Sequence, residues 1–202
     1  MTAAPESNTV QVMPLEPGHL PAVIELHRSQ LPYTVNSILG REHLAFLYRV
    51  MGQDPDSTIL VALVAGKVAG VVSATLDPGE LKRRIFAGLT PGGWVRLFFR
   101  LLRKPRALLA WYAGQGVEAP VSHQGTLVNP CLTAIAVDGS YRQAGIGRAL
   151  VAGVEEFCRS RGYRAFRLDT VQENEVSRKF YQRLGFVEAE QRGGNVMLVK
   201  VL

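Results

Sequence analysis

The most constraining stretch of this 202-residue chain lies between Thr126 and Val171. Thr126–Val137 is an apolar run with strand character, closed by Asp138-Gly139-Ser140. Tyr141-Arg142-Gln143-Ala144-Gly145-Ile146-Gly147 follows and leads directly into a helical pattern over Gly145–Arg161. In that pattern Ile146, Leu150, Val154, Phe157 and Cys158 share one face, while Glu155, Glu156 and Arg159 lie opposite. Gly162 supplies a C-terminal stop, and Ala165–Val171 reads as a second strand. A strand–helix–strand unit of this kind commits the chain to a sheet with a helix packed on it.

The flanking segments extend the same sheet. Val10–Leu15 reads as a strand after a loose polar tail at Met1–Thr9. Pro17-Gly18 opens a helix carrying Leu20, Val23, Ile24 and His27 on one face, and Leu31-Pro32 ends it. Arg41–Met51 places Leu44, Leu47, Tyr48 and Met51 at helical spacing. Thr58–Val64 and Lys67–Leu76 are strands joined by the two-residue turn Ala65-Gly66. Asn174 caps a helix reaching Leu184. Phe186–Glu190 and Asn195–Val201 are the last strands, separated by Gly193-Gly194. The order β-α-α-β-β-insert-β-α-β-α-β-β predicts an α/β fold with a mixed central sheet, helices on both faces and one domain over residues 1–202.

The turn before the long helix is where chemistry is expected. A helix N-terminus offers unpaired N–H groups and the positive end of a dipole, which together suit a phosphate. Gly145 and Gly147 let the backbone approach phosphate oxygens, and Arg142 adds a cation. Two other phosphate loops are excluded. Leu150 stands where a dinucleotide fingerprint needs its third glycine, and no Gly-Lys-Ser/Thr is present for a Walker loop.

The run Leu132-Thr133-Ala134-Ile135-Ala136-Val137 followed by Arg142-x-x-Gly145-x-Gly147 closely resembles the acetyl-CoA-binding core of the GCN5-related N-acetyltransferase (GNAT) family. Asn174-x-x-Ser177-x-x-Phe180-Tyr181-x-x-Leu184-Gly185-Phe186 resembles that family's second block. The resemblance implies a mostly antiparallel mixed sheet and acetyl-CoA as cosubstrate. It implies that backbone groups of Arg142, Gln143, Ala144, Gly145, Ile146 and Gly147 hold the pyrophosphate. It further implies that backbone groups of Ile135, Ala136 and Val137 pair with the pantetheine arm beside a bulge that splays this strand from Ala165–Val171. Asn174 corresponds to a residue contacting the arm, and Tyr181 to the acid that protonates the leaving thiolate. The implied activity is direct transfer of an acetyl group to an amine on a small molecule. An acyltransferase for longer chains and a non-catalytic acyl-CoA-binding or membrane-associated module are the alternatives. The base is left open among Glu42, His43, Glu118, His123 and Asp169.

The family pattern does not account for about 78–122, read as a helical insertion. Eight Lys/Arg (Lys82, Arg83, Arg84, Arg96, Arg100, Arg103, Lys104, Arg106) stand there against Glu80 and Glu118, so this segment holds the whole excess charge of +6. Trp94, Leu97, Phe98, Leu101 and Leu102 form a helical stripe, with Arg96, Arg100 and Arg103 on another face. Pro105 marks a second helix start, and Leu108, Leu109, Trp111 and Tyr112 continue the apolar content. Three readings stay open: packing on the core or a homodimer mate, a lid for an anionic or phosphorylated acceptor, and peripheral contact with anionic lipid. A nucleic-acid partner is not expected, because no aromatic platform accompanies the charge. The absence of a CxxC or Cys/His cluster predicts no metal, with Cys131 and Cys158 as buried free thiols. A polar N-terminus and the lack of a ~20-residue apolar run lead to a cytoplasmic expectation.

Overall fold

The computed structural model describes residues 9–103, 119–192 and 194–202. Lys104, Pro105, Arg106, Leu108, Leu109, Trp111, Tyr112, Glu118, Gly193 and the tail before Thr9 lie outside the described residues.

The strands are β1 (Gln11–Pro14), β2 (Ser57–Val64), β3 (Lys67–Thr75), β4 (Val121–His123), β5 (Thr126–Val128), β6 (Cys131–Val137), β7 (Ala165–Val171), β8 (Val187–Arg192) and β9 (Asn195–Val201). The helices are α1 (Leu20–Gln30), α2 (Val35–Leu39), α3 (Arg41–Gln53), α4 (Pro78–Ala87), α5 (Pro91–Arg103), α6 (Ile146–Ser160) and α7 (Glu175–Arg183). Seven strands form one sheet in the order β1-β2-β3-β6-β7-β9-β8, and β4 and β5 form a separate ribbon. Every pairing is antiparallel except β6 with β7.

Alternation along the strands divides the core between two faces. Ala62, Val72, Leu132, Phe166, Leu168, Val196 and Leu198 pack against Ile146, Leu150 and Val154 of α6 and Tyr181 of α7. Val61, Val71 and Ala136 face the other way, onto Val23 and Ile24 of α1 and Leu44, Tyr48 and Met51 of α3. Over the second half of the sheet that face is covered by the ribbon, whose Val121 and Val128 pack on Met197 and Val199. The two-face helical packing read from sequence is present, with the ribbon standing in for a helix on one quarter of it.

Three sequence expectations are revised. The single strand Thr126–Val137 is two strands, broken at Asn129-Pro130. Pro130 has no N–H to continue a ladder, and its carbonyl instead accepts from the Arg167 N–H at 2.8 Å. The insertion is not helical throughout: α4 and α5 are helices, but its last residues enter β4 at Val121. A short helix, α2, was not expected. Thr34 caps it, its hydroxyl oxygen accepting from Ser37 N–H at 3.4 Å.

α6 crosses β3 closely at Gly70. A Cβ there would lie 2.7 Å from Ile146 Cγ2 and 2.9 Å from Leu150 Cδ1. Gly70→Val should therefore lower stability by about 1–3 kcal/mol through overpacking, read from the urea unfolding midpoint. An unchanged midpoint would mean that α6 is free to move away.

The opposite face carries a buried titratable pair. His27 Nδ1 and the Tyr48 hydroxyl lie 2.8 Å apart, and His27 Nε2 has no hydrogen-bond partner among the described residues. Burial pushes His27 from 6.5 down to about 4, because the charged ring would be desolvated. The unfolded chain takes up this proton near pH 6.5, whereas the folded chain resists until about pH 4. Stability is thus unaffected by His27 above pH 6.5 and falls as pH drops through that window, by about 2 kcal/mol at pH 5. Chemical denaturation at pH 7 and pH 5 should show the loss, and His27→Gln should flatten it. Equal slopes in the two proteins would remove His27 as the cause.

Candidate active site

The site begins with a fault in the ladder between β3 and β6. Ser73 pairs with Ala134 and Ala74 with Leu132, so Thr133 is an extra residue on β6. Its hydroxyl reaches back to the Ser73 carbonyl at 3.1 Å and lies 2.8 Å from the Ser73 hydroxyl. Such a bulge bends the strand that carries it. β6 meets β7 at the single pair Cys131–Arg167, and beyond it the two strands diverge. The splay expected from sequence is therefore present, and it opens toward Val137.

The divergence leaves one edge of β6 unpaired. Asp138 N–H donates to the Ala69 carbonyl at 2.9 Å, which fixes the phase of the ladder. Alternate residues direct their backbone groups to alternate sides, so those of Ala134 and Ala136 point to β3. Those of Ile135 and Val137 point into the opening. Of the three residues expected to pair with an extended ligand, two present free backbone groups and Ala136 spaces them.

At the open end of this edge lies the glycine-rich turn. The Asp138 carboxylate accepts from Ser140 N–H at 2.8 Å and starts a 3-10 turn over Gly139–Tyr141. Gln143 and Gly145 both have positive φ, 68° and 77°. Gly145 is the N-cap of α6, and nothing lies within 4 Å of where its Cβ would be. Gly147 is required for a different reason: a Cβ there would lie 2.9 Å from the Phe180 ring, which seats α7 against the start of α6. The Arg142 and Ala144 N–H groups turn inward, onto the carbonyls of Gly139 and Tyr141. Among the described residues, the N–H groups of Gln143, Gly145, Ile146 and Gly147 have no partner. They converge at the positive end of a 15-residue helix with the exposed Arg142 and Arg148 beside them. Four free amides, an open surface and two cations fit a diphosphate.

At the closed end of the groove stands Tyr181, near the C-terminus of α7. It is 7 % exposed, with its ring against Phe180 and Phe186 at centroid distances of 5.2 and 5.5 Å. Its hydroxyl makes no hydrogen bond to the described residues. Burial pushes the phenol above its ordinary value near 10, and the nearby Asp169 carboxylate, Tyr33 and Cys131 push in the same direction. Tyr181 therefore keeps its proton at neutral pH and is suited to be an acid.

Of the four carboxylate and histidine candidates among the described residues, Asp169 is the one brought to this centre. His43 Nε2 is engaged with Asn36 Oδ1 at 3.1 Å, and Glu42 is exposed in the first turn of α3. His123 lies in the β4–β5 ribbon, and Glu118 lies outside the described residues. Tyr33 and Cys131 were not singled out from sequence as site residues. Tyr33 follows the Leu31-Pro32 helix stop and is 55 % exposed, and Cys131 opens β6 where the strands part. Asn174 caps α7, its Oδ1 accepting from Ser177 N–H at 3.1 Å, which leaves its amide nitrogen for a ligand. Both cysteines are free and buried. Burial first, and then the nearby Glu155 charge, push Cys158 up to about 12, so it is a poor nucleophile. No cluster of His, Cys, Asp or Glu among the described residues is arranged to hold a metal ion. No described helix is long and apolar enough to cross a membrane.

Known proteins share this fold. The model of the acetyltransferase (GNAT) family matches residues 20–186. An aminoglycoside N(6')-acetyltransferase type 1 of Salmonella typhimurium is 40% identical over 81 residues, which are 37% of this chain and 54% of that protein. An uncharacterized N-acetyltransferase of Methanocaldococcus jannaschii is 41% identical over 66 residues, 33% of this chain and 29% of that protein. The chain thus spans about half the length, or less, of the curated relatives it matches. Among solved structures, the aminoglycoside N-acetyltransferase AAC(6')-Iy in complex with CoA superposes with a TM-score of 0.63 at 19% identity, covering 94% of this chain and 95% of that one. The PaiA N-acetyltransferase of Thermoplasma acidophilum in complex with coenzyme A gives 0.61 at 15% identity, covering 96% and 99%. The extent of the family match, over a fold with this splayed strand pair, shows that the chain belongs to the acetyltransferase (GNAT) family.

Proposed function

We propose that the protein transfers an acetyl group from acetyl-CoA to a primary amine on a small molecule. The observation that carries this reading is the groove itself: a single parallel pair at Cys131–Arg167, a free β6 edge, four unpartnered amides at one end and a buried phenol at the other. The amides of Gln143, Gly145, Ile146 and Gly147 bind the diphosphate, and Arg142 neutralises part of its charge. Backbone groups of Ile135 and Val137 hold the pantetheine arm as an added strand, with the Asn174 amide nitrogen as a further contact. The thioester supplies an acyl group activated toward attack.

The groove directs that thioester to the point where β6 and β7 meet. There Asp169 takes the proton that the attacking amine must lose, and Tyr181 gives its proton to the departing sulfur. A carbon–nitrogen bond forms and the carbon–sulfur bond breaks, without a covalent enzyme intermediate. The aminoglycoside acetyltransferases among the relatives support an amine-bearing small molecule as the acceptor class.

A donor series tests the reading. With one reactive amine, kcat/KM should be highest for acetyl-CoA and fall as the acyl chain lengthens, because the buried Tyr181 ring stands at the closed end. A rise with chain length would assign the protein to longer acyl groups instead.

A further inference from the structure

We propose that α5 docks the protein on an anionic lipid surface, lying in the plane of the headgroups. Most of the large apolar side chains among the described residues are buried, but three exposed ones gather on this helix. Trp94, Val95 and Phe99 are 46, 55 and 51 % exposed. On a 3.6-residue helix positions 95 and 99 are neighbours, and 96, 100 and 103, all arginine, fall next to them, so exposed apolar side chains stand beside cationic positions.

The charge around this helix is one-signed. Between Pro78 and Arg103 there are six Lys/Arg and one acidic residue, Glu80, whose carboxylate is already held by Arg83 and Arg84. α4 ties the unit to the domain, with Arg84 on the buried Asp54 at 3.2 Å. The Trp94 ring stacks on Phe86 of α4 at 5.4 Å, so α5 is anchored at its start and lies along the surface. Thirteen residues give a helix about 20 Å long, too short to cross a bilayer and suited to lying on one.

Other occupants fit these features less well. A nucleic acid would meet the arginines, but the Trp94 ring is already stacked on Phe86, and Val95 offers neither stacking nor a hydrogen bond. A second copy of the chain would bring two strongly basic helices together. A bilayer rich in anionic lipid answers both the charge and the apolar side chains. The surface also has a defined place relative to the groove, since α5 packs against α2, the helix that follows Tyr33.

The test uses the full chain with vesicles of phosphatidylcholine alone and with about one-third phosphatidylglycerol. The protein should sediment with the anionic vesicles, not with the neutral ones, and binding should weaken as salt is raised. Val95→Ser with Phe99→Ser should lower partitioning by about tenfold or more, because both side chains lose their transfer into the interface. Arg103→Gln should weaken binding and reduce its salt dependence. Unchanged acetyl-CoA affinity and thermal unfolding in these variants would confirm that they are folded. Four results would overturn the proposal: no sedimentation with anionic vesicles, equal binding to neutral ones, undiminished binding by the double variant, or self-association in solution that the double variant abolishes. Displacement of the vesicles by RNA at equal salt would likewise assign the surface to another partner.

Discussion

Gly145→Asp is expected to lower acetyl-CoA affinity by at least about a hundredfold while the protein stays folded. The residue has φ of 77°, a left-handed conformation that aspartate tolerates better than most side chains, so the backbone change is mild. Its Cβ would point into space that is open in the structure. A carboxylate placed there would lie over the free amides of Gln143, Ile146 and Gly147. It would compete for those donors and repel a diphosphate at the same time. Loss of two charge-assisted hydrogen bonds at about 1.5–3 kcal/mol each accounts for the expected size. Calorimetry measures the affinity, and circular dichroism checks the fold. Gly145→Ala separates the two effects: it keeps the backbone strain without the charge and should lose far less. A folded Gly145→Asp protein with wild-type affinity would remove the loop from cofactor binding.

The loop was legible in the sequence because what it needs is local. A positive φ at Gly145 and the Phe180 ring over Gly147 each demand a glycine at one position, and the stripe from Ile146 to Cys158 marks the helix it feeds. The β2–β3 hairpin was legible for the same reason, with Ala65 and Gly66 both at positive φ between paired Val64 and Lys67. The break at Pro130 was harder to place. Residues on both sides have strand character, and only the lost N–H separates β5, which joins the ribbon, from β6, which joins the sheet. α2 has five residues, too few to show a period. The closed end of the groove was legible only in part. Tyr181 was marked by its block, but Tyr33, Cys131 and Asp169 come from a loop and two strands far apart in the chain, and topology alone gathers them. The same topology sorts the base candidates, since it carries Glu42 and His43 onto α3 and His123 into the ribbon.

Tyr181→Phe is the second large effect. The substitution removes one hydroxyl and leaves the ring between Phe180 and Phe186, so packing is retained. If the phenol protonates the departing sulfur, kcat should fall by about 10²–10⁴-fold with acetyl-CoA affinity nearly unchanged. Burial has a consequence for pH. The phenol is held above its ordinary value near 10, so the acid stays protonated through the mildly alkaline range and its titration should not limit the rate there. Any loss of rate on the acidic side then belongs to the amine and to the group that takes its proton. Asp169→Asn should remove the second of these contributions while leaving acetyl-CoA affinity in place. A Tyr181→Phe enzyme with full kcat would leave the tyrosine as packing between two phenylalanines and move the acid to water.

Transfer to an amine can be measured directly. The wild-type protein is mixed with acetyl-CoA and a panel of primary amines, aminosugars included. Free thiol is followed in time, and the amine products are examined by mass spectrometry. Thiol release that depends on a particular amine, with that amine gaining one acetyl group per thiol released, is the predicted result. Tight binding of acetyl-CoA with no amine-dependent release, and no acetylated product from any member of the panel, would contradict it.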